Sequence, residues 1–255
     1  HVYIYDPIGL LAPVVCTAKI IVRRIFELKR SWDDPLDVDL AEDFRQWLRD
    51  LQLIVGIRIP RFIGKPDFGQ VIRRELHVLA DGAHPAYGCC AYLRIVYSDG
   101  QICCTLILAK TKVCPKKGKL TIPRIEISAA VLASRMVAIL KKEMSGEFDA
   151  IWIWTDSMSN LAYIKNEKTR FHIFIGNRLE EIRSTTSLHW WRHVPGAQNV
   201  ADVLTRPFKV TESFGPDHYF YRGPQFLYKP ESEWPPHPKV AEIRDDDPEV
   251  HRVRT

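Results

Sequence analysis

The sequence predicts an α/β protein, with a mixed sheet in the order βββαβααβα preceded by a helical segment. Three observations predict it. Three strand-like runs follow one another at about 75–81, 87–97 and 101–111, with Ser98-Asp99-Gly100-Gln101 as the turn between the second and third. A long helical stripe comes next, formed by Ile125, Ala129, Leu132, Ala133, Met136 and Leu140. Strands and helices then alternate from Ala150 to Thr205.

Taken in order, Pro7 and Gly9 make a turn, and Pro13 suits the first turn of a helix. Val15, Ala18, Ile21, Val22, Ile25, Phe26 and Leu28 recur at helical spacing until Trp32-Asp33-Asp34-Pro35 stops them. A second helix is expected from about Asp39 to Leu53, with Phe44, Trp47, Leu48 and Leu51 on one face. The two stripes cannot satisfy each other alone. Residues 1–65 are therefore expected to be an appendage, and residues 66–235 to fold without them. The third strand, Ile102 to Ala109, is apolar on both faces, which suggests cover on both sides. Thr121 and Pro123 mark the start of the long helix, and Lys141 and Lys142 complement its C-terminal dipole. A strand at Ala150–Thr155, helices near 157–165 and 171–185, a strand at His189–Val194 and a short helix near Asn199–Thr205 close a domain spanning 66–206. Residues 207–235 form an extension whose Tyr219, Phe220, Tyr221, Phe226 and Tyr228 could pack locally. Residues 236–255 are dominated by proline and charge, and a disordered tail is expected there.

With 255 residues, 46% of them apolar, the chain can bury a proper core, which excludes global disorder. The net charge of +5 only hints at a polyanionic partner, but its distribution says more. No Asp or Glu occurs from Gly100 to Ile125, where Lys110, Lys112, Lys116, Lys117, Lys119 and Arg124 fall. From charge alone that stretch is either a solvated loop that keeps the protein soluble or the candidate contact with a nucleic-acid backbone. The six cysteines lack C-x-x-C spacing and read as buried apolar side chains in a reducing compartment. No signal peptide and no apolar stretch of membrane-spanning length is present, so the expectation is a cytoplasmic or nuclear protein with no membrane partner. A start at His1 suggests a piece of a longer polypeptide.

The chemistry lies in four short runs: Leu79-Ala80-Asp81-Gly82, Pro123-Arg124-Ile125-Glu126, Trp154-Thr155-Asp156-Ser157 and Asn199-Val200-Ala201-Asp202. Each carries one carboxylate near a strand end or a helix start, and such ends meet at one edge of an α/β sheet. Any one of these acids alone could be a turn or cap residue. Glu126 argues otherwise, because it sits among apolar neighbours at a helix start. Four carboxylates converging without cations would repel one another. Asp81, Glu126, Asp156 and Asp202 are therefore the candidate catalytic and metal-binding residues, suited to two Mg²⁺ or Mn²⁺ ions and in-line phosphodiester chemistry.

Element order and acidic motifs together resemble the ribonuclease H fold. The runs Tyr5-Asp6-Pro7-Ile8-Gly9-Leu10-Leu11-Ala12-Pro13-Val14, Ala109-Lys110-Thr111-Lys112-Val113, Leu120-Thr121-Ile122-Pro123-Arg124-Ile125-Glu126, His193-Val194-Pro195-Gly196 and Pro230-Glu231-Ser232-Glu233-Trp234-Pro235 look like the BEL/Pao class of LTR retrotransposon polyproteins. The resemblance covers roughly residues 3–235. It implies hydrolysis of the RNA strand of RNA:DNA hybrids during reverse transcription in a retrotransposon particle. It also implies polymerase and integrase parts as partners in the same polyprotein, and residues 1–65 as the connection from the polymerase. The chain departs from the family where Asp81 is followed by Gly82-Ala83 instead of Ala-Ser, and where Val200 replaces a commoner Pro. Many cellular relatives carry a histidine in the loop before the last Asp that helps product leave. Here Pro195-Gly196-Ala197-Gln198 lacks one, and His193 on the preceding strand is an imperfect stand-in, with a satisfied strand-end histidine as the plainer reading.

Two rival readings differ in class. An aspartic peptidase needs Asp-Thr/Ser-Gly turns, which neither Asp156-Ser157-Met158 nor Asp81-Gly82-Ala83 supplies. A silent or co-opted remnant that binds nucleic acid without turnover would keep the same motifs, and a cleavage assay separates it from an enzyme.

Overall fold

The computed structural model describes residues 4–251 except 30, 32, 61–62, 66, 116–119, 145–147, 212, 241 and 245. A five-stranded sheet in the order β3-β2-β1-β4-β5 organises the chain. β1 (Val71–Gly82), β2 (Ala86–Tyr97) and β3 (Ile102–Val113) form an antiparallel meander, and β4 (Ala150–Thr155) and β5 (Trp191–His193) continue parallel to β1. The β2–β3 turn works as its sequence requires. Gly100 takes a φ of 81°, and Asp99 Oδ1 accepts from the Gln101 amide at 3.0 Å.

One face of the sheet is covered by α3 (Ile122–Glu143), α4 (Met158–Lys165) and α5 (Ile173–Thr185). Leu76, Val78 and Ala80 on β1 meet Ile127, Ala130 and Met136 of α3 and Leu179 of α5 there. The other face carries Leu79, Cys90, Tyr92 and Trp154. It is covered by α1 (Ala12–Glu27), by Trp47 of α2 (Val38–Ile54), and by Phe214, Phe220, Phe226, Leu227 and Trp234 of the extension. β3, expected to be covered on both sides, is mostly buried although it lies at the sheet edge. Its exposed edge is blocked by the turn at residues 6–11. The Ala109 amide donates to Ile8 O at 2.9 Å, and Asp6 accepts from the Leu10 and Leu11 amides, each at 2.8 Å. Gly9 is required there, because it has φ 78° and a Cβ would fall 2.0 Å from Ala109 O.

Several expectations change. Strands β1 to β3 run longer than their apolar runs, because ladder pairing continues past the buried residues. The strand expected at His189–Val194 is a 3₁₀ turn at Leu188–Trp190 followed by three strand residues. The short helix near Asn199 is a 3₁₀ helix, Val200–Leu204. Helices α1 and α2 share a core with the sheet: Trp47 Nε1 donates to Val14 O at 3.0 Å, and Thr17 and Asp50 accept from the Phe208 and Val210 amides. The extension also packs on the sheet, with α6 (Tyr219–Arg222) placing Phe220 under Tyr92, whose hydroxyl donates to Phe220 O at 2.7 Å. The tail expected to be disordered departs most. Val240 and Ile243 pack against the main core and Val250 bridges Phe171, because apolar residues are spaced among its charges. All six cysteines are free and buried. Among the described residues no helix is long and apolar enough to cross a membrane.

Candidate active site

Parallel pairing of β1 with β4 in the register Ala80↔Thr155 sets Asp81, the next residue of β1, and Asp156, the first residue past β4, side by side at the C-terminal end of these two inner strands. Glu126 arrives from the first turns of α3, which crosses β1 at close range. A Cβ on Gly82 would lie 2.7 Å from Glu126 Cα and 2.8 Å from its nitrogen, so the glycine after Asp81 lets the helix approach. Asp202 comes from the 3₁₀ helix that Asn199 caps.

Polar neighbours hold Glu126, Asp81 and Asp202. Ser157 caps α4 and turns its hydroxyl to Glu126 Oε2 at 2.6 Å. Thr205, fully buried, donates to Asp81 Oδ2 at 2.9 Å. Asn199 donates from Nδ2 to Ala80 O at 3.1 Å and accepts at Oδ1 from the Ala201 amide, so it ties the Asp202 helix to the residue before Asp81. Asp202 pairs with Arg206 at the rim. These clamps escape a reading of the acids alone, although Asn199, Ser157 and Thr205 each lie within three residues of one.

The acids feel one another. Burial first, then the charges of Asp156 and Asp202, pushes Asp81 up to about 6, against the Thr205 hydrogen bond. Burial, Asp156 and Asp81 push Glu126 up to about 7, against Ser157. Asp156 is raised by burial and by Asp202, with Asn199 and His193 pulling the other way; His193 pairs with Thr155, the residue before Asp156. All four sequence-derived acids thus share one electrostatic neighbourhood. Among the described residues, no three His, Cys, Asp or Glu side chains are grouped closely enough to hold a metal as they stand. Their donor chemistry still fits a divalent cation: hard carboxylate oxygens, mutual repulsion, and hydroxyl and guanidinium partners in place of a cation.

The basic residues divide. Lys110 and Lys112 are exposed on β3, two residues apart and on one face. Lys116, Lys117 and Lys119 lie outside the described residues. Arg124 is engaged by Glu249 of the tail, with Nε 2.8 Å from Oε1.

A sequence profile described as the Pao retrotransposon-like RNaseH-like domain matches residues 2–157. The chain belongs to this family. The Pao match takes in Asp81, Glu126 and Asp156 and stops short of Asp202. Both the family and the mixed sheet make this a ribonuclease H-like fold. No curated protein matches the chain in sequence. Among solved structures it is similar to the RNase H1 of the halophilic archaeon Halobacterium salinarum at 18% identity and TM-score 0.34, over 52% of this chain and 93% of that one. It is also similar to the N-terminal RNase H domain of a Mycobacterium tuberculosis protein at 13% identity and TM-score 0.34, over 51% and 94%. A third, LC11-RNase H1 in complex with RNA/DNA hybrid, matches at 9% identity and TM-score 0.33, over 50% and 88%.

Proposed function

We propose that this Pao-family chain is the ribonuclease H of a BEL/Pao retrotransposon polyprotein and hydrolyses the RNA strand of RNA:DNA hybrids. What supports the reading is geometric: the β1–β4 register sets Asp81 beside Asp156, Gly82 lets the Glu126 backbone close on β1, and Thr205 ties Asp81 to the 3₁₀ helix of Asp202. Two Mg²⁺ or Mn²⁺ ions, held by these four carboxylates, would supply Lewis-acid charge and an acidic water for in-line attack on a phosphodiester. Ser157 and Thr205 fix Glu126 and Asp81 so that little reorganisation is needed when substrate arrives. His193, paired across the sheet with the residue before Asp156, would be the side chain to move a proton as product leaves. Lys110 and Lys112 would meet backbone phosphates without reading sequence. Polymerase and integrase parts of the same polyprotein would be its partners, in a cytoplasmic particle or in the nucleus.

The test is cleavage of a labelled hybrid with Mg²⁺ or Mn²⁺. Asp81→Asn and Asp156→Asn should each abolish cutting while hybrid binding persists. A parent protein that binds hybrid and never cuts it would instead be a silent, co-opted form. Near-parental cutting by either variant would remove that residue from the site.

A further inference from the structure

Arg124, two residues before Glu126, is the basic residue nearest the acids on α3, yet it is already occupied. Its Nε stands 2.8 and 3.1 Å from the two oxygens of Glu249, and its Nη2 stands 2.9 Å from Oε2. The Thr121 hydroxyl adds a bond to Glu249 Oε1 at 3.3 Å. Glu249 is 3% exposed, so a tail carboxylate has been drawn out of water to make this fork. More than the ion pair holds the tail. The His172 amide donates to Glu249 O at 2.9 Å, and the His251 amide donates to Arg170 O at 2.8 Å. Tyr163 donates to Asp247 Oδ2 at 2.8 Å, and Asp247 Oδ1 accepts from the Glu249 amide. Phe174 carries Arg124 and Arg178 over its ring at 5.2 and 3.4 Å. Arg178 donates to Ser128 Oγ and Phe174 O.

We propose that the surface made by Thr121, Arg124, Phe174 and Arg178 takes two competing occupants: the chain's own acidic segment, Asp246 to His251, and a backbone phosphate of a nucleic acid. The inference rests on the reading above for the identity of the second occupant. A guanidinium fork with a hydroxyl beside it suits a carboxylate and a phosphate alike, because both present paired anionic oxygens. The segment also lies within electrostatic reach of the site, since Asp247, Glu249 and Glu126 all act on the Tyr163 hydroxyl. A phosphate that reaches for Arg124, two residues before Glu126, therefore meets Glu249 already seated there. Seated, the tail withholds Arg124 and sets its own carboxylates against the incoming phosphates. Displaced, it frees Arg124 and returns Glu249 to water. The tail is thus a built-in competitor whose release tightens binding.

The experiment compares the full chain with its Glu249→Gln and Asp247→Asn/Glu249→Gln variants. Affinity is measured by fluorescence anisotropy without divalent metal, with an RNA:DNA hybrid and separately with inorganic polyphosphate. Loss of the ion pair should tighten binding of both probes roughly five- to a hundredfold, the usual range of coupling between two occupants. A peptide of residues 242–251 added in trans should reverse the gain. Variants that melt cooperatively and bind both probes no tighter than the parent would overturn the proposal. If hybrid binds to none of the proteins while polyphosphate binds more tightly to the variants, the ribonuclease reading fails and the tail's role stands. If neither probe gains, the tail is a structural strap and the proposal falls.

Discussion

Thr205 Oγ1 stands 2.9 Å from Asp81 Oδ2 and 2.9 Å from the carbonyl oxygen of Asp202. A hydroxyl has one proton, so at any moment it serves the carboxylate or the carbonyl. Either way a single buried side chain spans two of the four acids and fixes the 3₁₀ helix of Asp202 against the end of β1.

Thr205→Val tests that bracket. The shape is kept, but Asp81 loses the one side-chain donor that lowers its pKa. Metal-dependent cleavage should fall about ten- to a hundredfold, the usual cost of losing a partner of a metal ligand. More metal should be needed for half-maximal rate, and Thr205→Ser should restore both. Parental rate and metal requirement in Thr205→Val would show that the bond is incidental.

The raised acids set the pH dependence of metal-free stability. Asp81 at about 6 and Glu126 at about 7 lie above their ordinary values, so the native state holds protons that the unfolded chain has released. Their contribution is complete below about pH 4 and is lost as pH rises through 6 and 7. For Asp81, 8% exposed, the loss is on the order of 3 kcal/mol. Asp81→Asn should therefore melt roughly 5 °C above the parent at pH 8 without metal, with the difference gone by pH 4. Mg²⁺ should raise the parent's melting temperature and leave the variant's almost unchanged. A variant melting at or below the parent at pH 8 would count against converging carboxylates.

His77 acts in the opposite direction. It is fully buried, accepts from Trp154 Nε1 at its Nδ1 (3.1 Å), and turns Nε2 to Glu75, which Arg94 also holds at 2.6 Å. Arg94 continues to the carbonyls of Leu227 and Lys229, so the network fastens the extension to the sheet. Burial pushes His77 down to about 4, against the pull of Glu75. Between about pH 6.5 and 4 the unfolded chain binds the extra proton, so this contribution is present above 6.5 and lost as pH falls to 4. It amounts to about 3 kcal/mol. In the parent it opposes the falling contributions of Asp81 and Glu126 over an overlapping interval. In Asp81→Asn, where Glu126 alone opposes His77, the pH dependence should flatten, and in His77→Phe the fall with rising pH should steepen, with a loss of about 1–3 kcal/mol at pH 7 from the unpaired Trp154 Nε1. Chemical denaturation at several pH values measures both. A His77→Phe profile parallel to the parent's would show that His77 does not titrate in this interval.

Local signals made the sheet and the acids legible. Alternating and continuous apolar runs mark β1 to β4, and each acid sits next to its own strand end or helix start. Contacts that hold the acids are long-range and left little trace: Thr205 reaches Asp81 across 124 residues, and Asn199 reaches Ala80 across 119. The same holds for the tail. Asp246 and Glu249 read as solvated charge, and nothing near them in sequence shows that Arg124, 125 residues upstream, is the partner of Glu249. Apolar stripes on α1 and α2 were legible as stripes. Their destination, the sheet face that also holds Leu79 and Trp154, depends on the extension that completes the same core.

Gly82 tests how tightly the two halves of the site are coupled. A methyl group there would lie 2.7 Å from Glu126 Cα, 2.8 Å from its nitrogen and 2.9 Å from the Ile125 carbonyl carbon, all backbone atoms that no rotamer change can move. The start of α3 must shift away from β1, which increases the separation of Asp81 and Glu126 and loosens the contact of Ser157 with Glu126. Gly82→Ala should destabilise the protein by about 1–3 kcal/mol through overpacking. Its cleavage should fall about a hundredfold, because displacement of catalytic groups by about an ångström is costly. Melting and single-turnover cleavage on the same preparation separate the two effects. A Gly82→Ala protein that cuts hybrid and melts like the parent would show that α3 does not depend on this close approach to place Glu126.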